Sequence, residues 1–127
     1  MQITRGLIID SPPIDRILAG TKTWEMRSAA TKVRGRIALI RKGSGAVGGT
    51  AEVVGYVGPL TRDEMIANVD RHQGALDRIQ RGEFDKWRFA WVLRDAVKLA
   101  RSVPYDHPSR AVIWVTLDSA VSSQLQT

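Results

Sequence analysis

The residues with the most chemical capacity lie in one stretch, Gly20-Thr21-Lys22-Thr23-Trp24-Glu25-Met26-Arg27. Thr23 to Arg27 alternates as a strand, which sends Trp24 and Met26 to one side and Thr23, Glu25 and Arg27 to the other. Core packing accounts for the apolar pair. It gives no reason for a carboxylate and a guanidinium together on the opposite face. Two readings stay open. In one, Glu25 and Arg27 form an exposed ion pair worth under about 1 kcal/mol. In the other, Lys22, Glu25 and Arg27 line a pocket floored by the sheet. There Glu25 could act as general base on a water and Lys22 could stabilise an oxyanion or a phosphate. Strict alternation separates Lys22 from Glu25, so one pocket takes both only if Lys22 lies in the turn ahead of the strand.

Other chemistry is sparse. There are no cysteines, which excludes disulfides, thiolate nucleophiles and thiolate metal sites. His72 and His107 stand 35 residues apart with no metal-binding spacing, so no metal is expected. Tyr105, Asp106, His107, Ser109 and Arg110 form a polar cluster before the last predicted strand, where a loop could border a pocket. Tyr105 could stack on a base or pack over the end of the sheet. From Arg27 to Ala51 there are six basic residues and no acidic ones. They include Arg41 and Lys42, beside the glycine-rich Gly43 to Gly49. This is not a nucleotide-binding P-loop, since no Gly-Lys-Ser/Thr opens a helix after it. It reads as a flexible hairpin turn, or as a place where Arg41, Lys42 and loop amides meet the phosphates of a strand.

Certain elements must position these groups. Leu7-Ile8-Ile9 suits a first strand. Ser11-Pro12 resembles a helix N-cap followed by proline, with Ile14, Ile17 and Leu18 at helical spacing and Gly20 to stop the helix. Strands are expected over Arg36–Arg41 and Thr50–Val57, joined as a hairpin. Thr61 and Glu64 make a capping box, with Leu60 and Met65 as its hydrophobic staple. The helix they start should run to Gln73 and break at Gly74, with a second over Ala75–Arg81. Strands over Phe89–Leu99 and Ala111–Leu117 complete the chain. Phe89, Trp91 and Leu93 should share a face. This predicts an α+β fold: a small β-barrel or curled sheet of five to six mostly antiparallel strands with two to three helices, residues 1–127 forming a single domain.

The net charge is +6 and the pI about 10.3, with arginine supplying 14 of the 19 basic residues. Arginine suits bidentate phosphate contacts and base stacking. The N-terminus has no signal-peptide pattern and no apolar run reaches membrane-spanning length, so a cytoplasmic protein without a membrane partner is expected.

Ile17 to Arg27 resembles the signature of ASCH domains: an apolar helix end, glycine, any residue, lysine, then glutamate and arginine at this spacing. These domains belong to the PUA-like superfamily of small barrels. The resemblance implies a PUA-like barrel whose partner is single-stranded RNA, a nucleoside or a nucleotide, with no cofactor. It places Lys22, Glu25 and Arg27 at the pocket, and lets Trp24 or Trp91 wall a base slot. Similar domains include nucleic-acid binders, a ribonuclease, and amidohydrolases acting on N4-acetylcytidine. In the amidohydrolases the lysine works with a threonine three residues later and a glutamate in the helical insertion. Lys22 matches, but Glu25 occupies the threonine position, and Thr23 is out of step. Asp70 and His72 are the nearest candidates for the insertion glutamate. The resemblance therefore favours an RNA- or nucleoside-binding domain over a metal-independent hydrolase (an N4-acylcytidine amidohydrolase or a ribonuclease). A protein-interaction domain with a basic face is the remaining alternative.

Overall fold

The apolar runs at Leu7-Ile8-Ile9 and Ile37-Ala38-Leu39-Ile40 are buried along their whole length. Successive side chains in a strand point to opposite faces, so such runs need cover on both. Alternate residues do enter different cores: Leu7, Ile9, Ile37 and Leu39 join one cluster, and Ile8, Ala38 and Ile40 another. A computed structural model describes residues 2–125; Met1, Gln126 and Thr127 of the expected 1–127 domain lie outside the described residues. The strands are β1 (Arg5–Ile9), β2 (Trp24–Arg27), β3 (Gly35–Arg41), β4 (Ala46–Val57), β5 (Phe89–Pro104) and β6 (Trp114–Thr116). They form one curled half-barrel sheet in the order β2-β5-β4-β3-β1-β6. Only β1 and β3 pair in parallel, so the sheet is mostly antiparallel as expected.

Five short helices cover the sheet, more than the two or three expected: α1 (Pro13–Leu18), α2 (Arg62–Ala67), α3 (Val69–His72), α4 (Leu76–Gln80) and α5 (Ser119–Gln124). Ile14 and Ile17 of α1 pack on one face, and Val121 beside Leu125 on the other. The insertion α2–α4 closes one end, where Leu60, Met65 and Ile79 enclose Trp24 and Ala90.

Local chemistry explains most boundaries. At α1 the cap is Pro12, not Ser11, and the proline at the helix start is Pro13. Gly20 reverses the chain at φ +85, a conformation that costs glycine little. The Thr61–Glu64 capping box forms reciprocally at 3.1 Å in both directions. The helix it starts does not reach Gln73 unbroken. Asn68 interrupts it, turning its side-chain amide back to the Glu64 carbonyl at 2.8 Å, a local bond that competes with helix continuation. The glycine-rich segment is a turn only over Gly43–Gly45, because Gly48 and Gly49 belong to β4. A Cβ at Gly49 would run into Leu18 and lie 2.6 Å from the Val97 carbonyl oxygen. Glycine here lets α1 approach the sheet. β5 runs on to Pro104, past its expected end at Leu99, while β6 is shorter than expected. Three register shifts between β4 and β5 bend this long ribbon.

Candidate functional site

Lys22 sits between α1 and β2, in the turn set by Gly20. Its backbone N–H donates to the Arg16 carbonyl at 3.1 Å. Being outside the strand, its side chain escapes the alternation and reaches Glu25. The ammonium is buried and donates to the carbonyls of Trp24 (2.6 Å) and His72 (2.7 Å), with Glu25 Oε1 at 3.7 Å. An ammonium has three protons; two are held by these carbonyls, and Glu25 Oε1 stands at ion-pair distance from the charge. Burial holds the Lys22 pKa below the ordinary lysine value, with the Glu25 charge opposing that shift.

Glu25 is also buried. Its Oε2 accepts from Arg27 Nε at 3.1 Å and Nη2 at 2.8 Å. Arg27 Nη2 also donates to the Ile8 carbonyl at 2.8 Å, and the guanidinium lies 5.5 Å from the Trp91 ring centroid. The three charges thus tie β2 to β1 and to the helical insertion. Mutual pairing and added backbone bonds offset part of their desolvation.

Above them opens a cavity of about 760 Å³. Lys22, Glu25 and Arg27 lie at its base, and Arg16, Lys42 and Arg78 bring further cations to its lining; Asp10 is the one other carboxylate there. Phe84 and Trp87 supply an aromatic wall, their centroids 6.0 Å apart. Arg78 lies 4.8 Å from the Phe84 centroid, and Lys86 4.4 Å from that of Trp87.

The ASCH domain family profile matches residues 7–99. The chain belongs to the ASCH domain family. Among solved structures it is similar to an ASCH protein from Zymomonas mobilis, with 17% identity over 95% of this chain and 92% of that one and a TM-score of 0.69. Serine-to-alanine and tyrosine-to-phenylalanine mutants of that protein match at 17% identity, with TM-scores of 0.68 and 0.69. They cover 95% of this chain and 92% and 94% of theirs. No curated protein matches the chain.

In this ASCH domain the cavity gathers only some of the residues singled out by sequence. Lys22, Glu25, Arg27 and Lys42 line it, as does His72. The His72 ring, however, is occupied. Its Nε2 lies 2.7 Å from the Met65 carbonyl and its Nδ1 accepts from the Gly74 N–H at 2.9 Å. Those partners specify a neutral ring protonated on Nε2, and burial holds its pKa below 6.5 against the Met65 bond. What His72 brings to the site is its carbonyl. Asp70 is exposed on α3 and does not line the cavity. Thr23 is exposed, its backbone bonded to Arg71 and Leu93.

The two tryptophans expected at a base slot are core residues. Trp24 lies among Leu60, Met65 and Ile79. Trp91 is stacked on Trp114 at 5.8 Å and donates from its indole to the Ala29 carbonyl at 2.7 Å. Both are buried because β2 and β5 carry them inward from cross-strand neighbours. Arg41 is turned to Asp15 and Ser11 (Nη1 to Asp15 Oδ2 3.0 Å) and borders a separate cavity with Lys98. Tyr105 and His107 are bonded to each other at 2.8 Å, with His107 Nε2 2.9 Å from the Ala111 carbonyl. They lie outside the main cavity, and Tyr105 packs on the core beneath α5.

Sequence reasoning missed Arg16, Arg78, Phe84 and Trp87. A signal for the aromatics was present. The chain has only eight aromatic residues, and two of them stand three apart just after the helical insertion. Among the described residues no cluster of three or more potential ligands could hold a metal ion, and no helix is long and apolar enough to cross a membrane.

Proposed function

We propose that this ASCH domain binds single-stranded RNA or a nucleotide in the 760 Å³ cavity, with phosphate on the rim cations and a base against Phe84 and Trp87. One observation carries the reading: five cationic side chains, set against two carboxylates, share a cavity with an aromatic wall. Cations alone would suit any anion. The adjoining aromatic surface matches the other half of a nucleotide, since bases stack on such platforms without regard to sequence. Arg16, Lys42 and Arg78 are the phosphate-contacting candidates. Arg41, beside the second cavity, is paired with Asp15 and is not among them.

Hydrolysis in the same cavity receives less support. Lys22 gives two protons to protein carbonyls, the His72 ring is bonded at both nitrogens, and Thr23 lies outside the cavity lining. Binding needs neither a nucleophile nor a base.

The test is titration of a labelled single-stranded RNA across a series of salt concentrations. Each phosphate contact contributes about 0.7 to the logarithmic salt slope of a single strand. Arg16→Gln and Arg78→Gln should each lower the slope by roughly that amount, and Trp87→Ala should weaken binding by about 1–3 kcal/mol. A flat salt dependence, or a Trp87→Ala variant that binds normally, would refute the proposal.

A further inference from the structure

Glu25 offers more than an ion pair. Both Arg27 donors converge on Oε2. Oε1 has only the Lys22 ammonium, at 3.7 Å, beyond hydrogen-bond length. The Glu25 side chain is 9% exposed and lines the cavity. A carboxylate oxygen with no hydrogen bond of its own thus belongs to a residue that borders the ligand space. A charged acceptor left open in this way can take a donor from a ligand.

The geometry points to a role in choosing the base: Glu25 Oε1 accepts a hydrogen bond from an exocyclic amino group, so the cavity selects amino-bearing bases over their oxo counterparts. The inference rests on the nucleotide reading above and narrows it. An amino group donates an N–H to Oε1 directly. The oxo counterpart places a carbonyl oxygen against the carboxylate, leaving two acceptors facing each other without a proton between them. The Trp24 and His72 carbonyls hold the Lys22 ammonium 3.7 Å from Oε1, short of a bridging bond. Sites built around a hydrogen bond reject the analogue that cannot make it, since the buried group is left unpaired.

The experiment compares labelled RNA hexamers of cytidine, uridine, adenosine and inosine at one salt concentration, by fluorescence anisotropy. Within at least one deamination pair, cytidine against uridine or adenosine against inosine, the amino member should bind roughly tenfold to a hundredfold more tightly, as expected for one hydrogen bond to a charged acceptor. Glu25→Gln, shown to be folded by its melting curve, should narrow that gap, because its amide can donate to a carbonyl. Equal affinities within both pairs, or preference for the oxo members, overturn the inference and leave RNA binding intact. A gap unchanged in a folded Glu25→Gln overturns it equally. If no hexamer binds, the nucleotide reading itself falls. Should Glu25→Gln fail to fold, the wild-type comparison still decides.

Discussion

Lys22→Met tests whether the motif lysine is first of all a clamp. Methionine keeps the unbranched apolar stem and removes the ammonium. The Trp24 and His72 carbonyls, held at 2.6 and 2.7 Å, lose their donor in a buried place. Hydrogen bonds to a charged group are worth about 1.5–3 kcal/mol each, which sets a gross loss of about 3–6 kcal/mol. Two effects reduce it. The ammonium no longer has to be desolvated, the cause of its lowered pKa, and Glu25 keeps Arg27 as a partner, so no charge is left alone. A net loss of about 2–4 kcal/mol follows, toward the lower side of breaking a buried ion pair. At this chain length that corresponds to a melting temperature lower by roughly 8–16 °C. Urea unfolding at pH 7, followed by circular dichroism, gives the free energy directly. Arg16→Gln is the control: it faces the same cavity from an exposed position and should stay within about 0.5 kcal/mol of wild type. If Lys22→Met costs less than about 1 kcal/mol, the hydrogen bonds do not bear on the fold and the argument for a clamp is wrong.

Two further outcomes follow from buried polar groups. His72 has a folded pKa below 6.5, so on acidification the unfolded ring takes up a proton before the folded ring does. Its contribution to stability is full above pH 6.5 and declines as pH falls toward the folded pKa. The urea midpoint of wild type should therefore drop between pH 7.5 and 5.5 relative to His72→Gln, and parallel curves would refute the assignment of a neutral buried ring. Ser122 is 1% exposed and its hydroxyl has no hydrogen-bond partner among the described residues. Ser122→Ala should raise stability by about 1 kcal/mol through the lost desolvation cost and better helix propensity; a lower melting temperature would show that the hydroxyl has a partner.

The parts of this fold legible in sequence are those decided by neighbours along the chain. Period two placed Trp24 and Met26 against Glu25 and Arg27, and the Thr61–Glu64 box started α2 where it should. What stayed hidden depends on distant backbone. Nothing near Lys22 says that its ammonium will meet the carbonyl of His72, fifty residues on, and the side-chain type of His72 draws attention to the wrong atoms. The same limit misplaced the glycine-rich segment. Gly48 and Gly49 look like loop residues until α1 is laid against β4, when Leu18 and the Val97 carbonyl leave no room for a Cβ at Gly49. It also sent attention to Trp24 and Trp91, which alternation had already assigned to buried faces, and away from Phe84 and Trp87, which no strand carries inward. In the Lys22-Thr23-Trp24-Glu25-Met26-Arg27 motif, then, the arginine holds the carboxylate and the lysine clamps the backbone beside it. If the open carboxylate oxygen reads the base as proposed, substitutions at Lys22 should register first in stability and those at Glu25 in selectivity.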